Sequence, residues 1–309
     1  MSYQRRTLEE LNVLDDFLFH VLASDREVGV PFCQILLSTL LQRSIGQIRI
    51  VAQHMIPAFT PEHRGIRMDV EVEEFGELQA GGEESILNIY DLEPHLQRGE
   101  NLARHNRFYQ AKIDSRYMSS GEDDFSRLPN LYVITITNYD PFGRDYMMYT
   151  IRNCCQEIPD LEYKDGVQFI YFYTGGCKGG SRELQELLRY LQSSTERNVT
   201  NDIIRKIHGF VNQVKILPEV KQEYMTFEHF IAMKQRAAAE EAAKEAAEET
   251  ARTVRVEVIL DFLQELGEIP AALKERLQEE ADPEKLREWC RLAGKARSLK
   301  EFQEQMEES

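Results

Sequence analysis

The sequence predicts an α/β fold: a mixed sheet flanked by helices, followed by an all-helical C-terminal region. Three observations predict it. Strand and helix patterns intermingle up to about residue 180, a helix pattern separates two groups of strands, and no strand pattern recurs after Gly180.

In chain order, residues 7–24 read as a helix, opened by a Thr7/Glu10 capping box and lined on one face by Leu11, Leu14, Phe17, Leu18 and Val21. Residues 31–43 read as a second, more buried helix, and 47–56 as a strand. A turn follows at 61–65. Residues 66–73 alternate strictly. Ile66, Met68, Val70 and Val72 share one face, and Arg67, Asp69, Glu71 and Glu73 form a polar face directed outward. Residues 85–93 are more apolar, as a central strand is. Gly76, Gly81 and Gly82 lie between these two strands in a hairpin-like connection. Residues 101–118 read as a helix, and 131–138, 146–152 and 167–174 as strands, with a turn at 140–143. Helices follow at about 181–193, 200–214 and 218–234. Residues 236–252 are nearly all Ala, Glu, Lys and Arg, helical by propensity but without an apolar stripe beyond alanine. Apolar periodicity returns from Val254 to Phe302, through Leu260, Leu263, Leu273, Leu277, Leu286 and Trp289. The expected organisation is a domain over 1–235, an Ala/Glu-rich helical linker over 236–253 and a small helical module over 254–309.

Composition narrows the classes of function. The 309 residues are 42% apolar, enough for a well-buried core in roughly two domains. The N-terminal residues carry charge where a signal peptide needs an apolar run, and no stretch approaches the roughly 18 apolar residues of a membrane span. The expectation is a cytoplasmic protein that does not engage the membrane. The five cysteines are odd in number and form no CxxC pair, so they read as reduced thiols rather than a disulfide framework or zinc site. A net charge of −16 excludes a broad basic surface for wrapping nucleic acid. One window reverses the sign. From Arg98 to Arg116, five basic residues (Arg98, Arg104, Arg107, Lys112, Arg116) face only Glu100 and Asp114.

The residues able to do chemistry lie at the end of the 85–95 strand. Asp91, Glu93 and His95 are spaced two apart and share a face. Asp69 lies on the preceding strand, and paired strands run about 4.8 Å apart. Asp69 and Glu93 are therefore the expected ligands of one divalent cation, Mg²⁺ or Mn²⁺, since hard carboxylate oxygens suit both. Such an ion polarises a phosphoryl oxygen and activates a water. His95 is expected to orient that water or stabilise developing charge. A histidine is mostly neutral near pH 7, and two adjacent carboxylates are expected to raise its pKa.

The pattern Asp69 … Glu93-Pro94-His95 resembles the D…(D/E)-x-K signature of PD-(D/E)XK nucleases. The segments 65–70 and 89–93 resemble the transposase-associated branch of that family, the recombination-promoting nucleases. Segments 14–19, 104–110, 128–134 and 140–143 resemble that branch's N-terminal helix, the start of its post-active-site helix, and its next strand and turn. The resemblance covers about residues 8–235, and 256–302 is similar to an uncharacterised helical domain often appended to such proteins. It implies a restriction-endonuclease-like fold and a Mg²⁺-dependent DNA endonuclease linked to recombination or transposon-like elements. Asp69 and Glu93 would be the metal ligands, with His95 where the superfamily has lysine and this branch often has glutamine. Arg104, Arg107 and Gln110, at i, i+3 and i+6 on one helix, are the expected DNA contacts.

Blander readings stand beside these. Asp91 is either a third ligand or a cap on the strand edge. Asp15 and Asp16 are either near the metal or ordinary helix surface. The glycine-rich loop at 175–181 lacks the Lys-Ser/Thr step of a phosphate loop, because Gly180 precedes Ser181. Phe108, Tyr109 and Tyr132 read as core residues. The alternative to an active nuclease is a catalytically inactive module of the same fold. It would bind DNA or a protein, or form a homo-oligomer, through the C-terminal helices.

Overall fold

A computed structural model describes residues 6–52, 70–76, 85–99, 101–118 and 124–308. The chain divides into two compact units, Met1–Thr226 and Phe227–Ser309. The described part of the first unit carries one six-stranded sheet. Its strands are β1 (Ile48–Ala52), β2 (Val70–Phe75), β3 (Ile86–His95), β4 (Asn130–Thr137), β5 (Met148–Ile151) and β6 (Val167–Tyr173), in the order β1-β2-β3-β4-β6-β5. β1, β2 and β3 pair antiparallel, β3–β4 and β4–β6 pair parallel, and β5 closes the far edge antiparallel to β6. The helices are α1 (Asp16–Ser24), α2 (Gly29–Leu41), α3 (Leu102–Tyr117), α4 (Arg182–Gln192), α5 (Asp202–Ile216) and the first residues of α6 (Pro218–Gln264). The predicted α/β class, a mixed sheet with helices around it, is what forms.

The centre of the sheet follows from side-chain chemistry. β4 is rich in β-branched residues, and Leu131 together with Val133 to Thr137 is buried between β3 and β6. Its threonines are satisfied internally, with Thr137 Oγ1 donating to the Tyr139 carbonyl at 2.7 Å. A parallel β3–β4 pair needs a crossover, and α3 provides it. α3 buries Asn106, Tyr109 and Ile113, at helical spacing, and Ile113 packs with Ile89, Leu131 and Val133.

β2 departs from expectation on its polar side. Glu71 and Glu73 are not directed to water, being 1% and 5% exposed. α3 covers them. The Tyr117 hydroxyl lies 2.8 Å from a carboxylate oxygen of each, Arg116 pairs with Glu71, and Arg49 with Glu73 at 2.6 Å. A buried carboxylate needs such partners. Burial and the two carboxylates together push the Tyr117 hydroxyl upward. On the opposite face Glu74 accepts from the Gly46 N–H at 2.6 Å, from Asn88 Nδ2 at 2.7 Å and from the Tyr90 hydroxyl. Arg43, just past α2, lies 3.7 Å from the same carboxylate and over the stacked rings of Tyr90 and Tyr132. The other residues expected in this strand, 66–69, lie outside the described residues.

Two helix expectations change. The predicted helix over 7–24 is a 3-10 turn, Leu8–Glu10, followed by α1 from Asp16. The Thr7 N–H donates to Glu10 at 2.7 Å, but the chain re-enters extended geometry at Leu11. Asp15 stands at the N-cap of α1, with its carboxylate turned back to accept the Asn12 N–H at 2.6 Å and to pair with Arg6 rather than capping the helix. Conversely, 218–234, 236–252 and the start of the C-terminal module are one helix, α6. No Gly or Pro occurs between Glu219 and Leu266 to stop it. The expected linker over 236–253 is thus helical and exposed along most of its length, but it is no separate element.

The second unit holds the rest of α6 with α7 (Ala271–Glu279), α8 (Pro283–Ala293) and α9 (Leu299–Glu308). Ile259, Leu263, Leu277, Leu286, Trp289 and Phe302 form its core, as the apolar periodicity after Val254 predicts. Asp282 caps α8 by accepting the Glu284 N–H at 2.8 Å, with Pro283 in the first turn. All five cysteines are free thiols, and burial pushes Cys33 up to about 12. Among the described residues no helix is long and apolar enough to cross a membrane.

Candidate functional site

β3 runs to His95, so Asp91, Glu93 and His95 emerge on the face that α3 covers. The ladder places Asp91 opposite Glu71 on β2 and Glu93 opposite Thr135 on β4. Thr135 is in turn opposite Tyr171 on β6. The first turns of α3 lie over this row. Asn106 is fully buried and donates from Nδ2 to Thr135 Oγ1 at 2.9 Å. That anchor sets the preceding residue, His105, with Nδ1 3.6 Å from Glu93 Oε2. Its ring stacks obliquely on Tyr109 at 4.3 Å and lies 6.2 Å from the ring of His95. Tyr139, two residues past the end of β4, brings its hydroxyl to 2.9 Å from His95 Nδ1.

The site therefore gathers one half-buried carboxylate, two imidazoles and a phenol. Sequence reasoning named Glu93 and His95 and missed His105 and Tyr139. The signal for His105 is its place beside Asn106, a polar residue on the buried stripe of α3. The signal for Tyr139 is the tight turn that follows it.

The electrostatics of His95 run opposite to expectation. Burial lowers its pKa, and the neighbouring His105 lowers it further, so the ring is uncharged at neutral pH. Adjacent carboxylates do not win, because the imidazole is desolvated and a second imidazole, His105, stands beside it. Burial pushes the Tyr139 hydroxyl up, Arg98 opposes this, and Glu93 adds to it. Tyr139 thus sits between the anionic and cationic sides of the site.

The remaining candidates sort plainly. Asp69 lies outside the described residues; β2 is described from Val70, which pairs with Leu92. Asp91 is buried within the sheet rather than capping its edge. Asp15 belongs to the start of α1, held by Asn12 and Arg6. Arg104 and Arg107 are exposed on α3 and form no ion pair with a described residue. Gln110 is half-buried and points along the helix, with Nε2 3.4 Å from Asp114 Oδ2. Phe108, expected in the core, is 60% exposed, between Arg104, Arg107 and Lys112 on the outer face of α3. Ser181 of the glycine-rich loop caps α4 by accepting the Leu184 N–H.

Among the described residues no three His, Cys, Asp or Glu side chains cluster closely enough to hold a metal ion. The donor chemistry at the end of β3 nonetheless fits a hard divalent cation. Glu93 and Asp91 offer carboxylate oxygens on one face, and no thiolate stands near them. No protein-family model matches the chain, and neither a curated protein nor a solved structure matches it.

Proposed function

We propose that this chain is a metal-dependent DNA endonuclease of restriction-endonuclease-like fold, associated with recombination or transposon-like elements. The observation that carries the reading is the convergence of Glu93, His95, His105 and Tyr139 where β3 and β4 end, beside a helix with the exposed arginines Arg104 and Arg107. The mixed sheet with α3 crossing over from β3 to β4 supports the fold, and the resemblance of the Asp69 … Glu93-Pro94-His95 pattern supports the chemistry.

Asp69 and Glu93 would hold Mg²⁺ or Mn²⁺, which when bound polarises a phosphoryl oxygen and acidifies a water. This requires Asp69, which lies outside the described residues, to stand opposite Glu93. His95 acts as a neutral imidazole, since burial and His105 lower its pKa; it hydrogen-bonds and orients the attacking water. Tyr139 holds the ring by its Nδ1 and leaves Nε2 for the substrate side. Arg104 and Arg107 meet backbone phosphates, and Phe108 between them offers a stacking surface.

Nicking of supercoiled plasmid in Mg²⁺ or Mn²⁺, absent in EDTA, is the expected result; intact plasmid under every metal would refute it. Arg104→Ala with Arg107→Ala is expected to weaken DNA binding in EDTA and to flatten the log K against log salt slope by about 2. An unchanged slope removes both arginines from the interface. One observation favours a second reading, a non-catalytic DNA-binding or protein-interaction module: His95 is uncharged where the superfamily keeps a lysine. In that case the arginine variant lowers binding while no metal supports nicking.

A further inference from the structure

Beside the candidate site, on the far side of Tyr139, lies a cavity of about 240 Å³. Its lining is mixed in chemistry. Tyr139, Pro141, Phe142 and Tyr171 give it an apolar and aromatic lining, and Arg98 adds a cationic residue. Phe142 is 44% exposed yet firmly placed. Its ring meets Tyr171 edge-on at 5.1 Å and Tyr149 at 5.0 Å. Its backbone is pinned as well. The Asp140 carboxylate accepts the N–H groups of Phe142, Gly143 and Asp145 at 3.0, 2.9 and 2.6 Å, and the Tyr149 hydroxyl at 2.8 Å. An exposed aromatic ring on a rigid turn is a prepared stacking surface. Arg98 is exposed and forms no ion pair with a described residue, in a chain of net charge −16.

A guanidinium and aromatic rings lining one cavity suit a ligand with a planar ring and an anionic group. The volume lies below the roughly 300–1,000 Å³ of pockets for drug-sized ligands. A cavity of this size suits a small ligand rather than a long segment of chain. An acidic peptide would use Arg98 but leave the ring wall without a partner. We propose that this cavity binds a single unstacked nucleotide of the DNA strand, its base against Phe142 and Tyr171 and its phosphate at Arg98. The proposal rests on the DNA reading above and names the neighbouring subsite. Tyr139 belongs to both places, its ring lining the cavity and its hydroxyl on His95. The nucleotide held here would thus lie one side chain away from Glu93 and His95.

The test is binding of dAMP to the full chain in EDTA, by calorimetry, against inorganic phosphate and deoxyadenosine. The expected result is that dAMP binds about tenfold or more tightly than either alone. Arg98→Gln and Phe142→Leu should each weaken dAMP by a similar factor with unchanged circular dichroism. Arg98→Gln alters only an exposed side chain, so it remains informative if Phe142→Leu unsettles the turn. Equal affinity for dAMP and phosphate, or dAMP binding indifferent to Arg98→Gln, overturns the proposal. Plasmid nicking is read separately. If dAMP binds and no plasmid is nicked, the nucleotide subsite stands and the endonuclease reading falls. If plasmid is nicked and dAMP does not bind, the subsite falls and the endonuclease reading stands.

Discussion

Glu74→Ala is expected to destabilise the sheet-bearing unit by about 3–5 kcal/mol. The carboxylate is 5% exposed and takes hydrogen bonds from the Gly46 N–H, Asn88 Nδ2 and the Tyr90 hydroxyl, with Arg43 beside it. Alanine would strip these donors of their acceptor and leave the Arg43 charge uncompensated beneath two tyrosine rings. Glu74→Gln keeps the volume but loses the charge, and should cost less. The sign with pH follows from the bonds. Burial alone would raise the carboxyl, but Gly46, Tyr90, Asn88 and Arg43 together hold it below the ordinary range. Its contribution is therefore fully present above the unfolded-state value of about 4.3 and is lost as pH falls through the lower folded value. Urea denaturation followed by hydrogen exchange of β2 and β3 checks both points. A midpoint shift worth under about 1 kcal/mol, or a Gln variant with the wild-type acid profile, would show that Glu74 is not the hub of this network.

What could be read in the sequence divides along local and non-local lines. β4 was legible because a β-branched run between turn residues has few alternatives. So was the helical core around Trp289. The alternation of β2 was also visible, but its meaning was not. Alternation marks two faces without saying which carboxylates meet water, and the groups that bury Glu71 come from Arg116 and Tyr117, 45 and 46 residues away. Arg43 likewise reaches Glu74 from a different element of the chain. The same limit hid His105 and Tyr139, which join Glu93 and His95 only through the crossover of α3 and the end of β4. His95 is the sharpest case. Its sequence neighbours are acidic, yet burial and a histidine from another element decide its charge. The stretches 218–234 and 236–252, both helical by pattern or propensity, run together as one helix because the change in composition between them brings no residue that stops it.

Glu93→Gln is expected to reduce metal-dependent nicking by a hundredfold or more, an estimate of order of magnitude, because a neutral amide is a far poorer ligand for a hard cation than a carboxylate. Its cost to stability should be small. Glu93 is less deeply buried than Glu74, its side chain 13% exposed against 6%, and glutamine keeps the shape beside Thr135 and His105. That contrast with Glu74 separates a functional carboxylate from a structural one on the neighbouring strand. His95→Gln should retain nicking within about tenfold, since the ring it replaces is uncharged and serves as a hydrogen-bonding group. Tyr139→Phe removes the hydroxyl that holds His95 Nδ1 and should lower activity of the wild type but not of the His95→Gln protein. Mn²⁺ titration followed by paramagnetic relaxation supplies a readout independent of cleavage. Wild type should bind the ion and Glu93→Gln should bind it at least about tenfold more weakly. Equal Mn²⁺ affinity in the two proteins would remove Glu93 from the metal and, with it, the chemical basis for phosphodiester cleavage at this site.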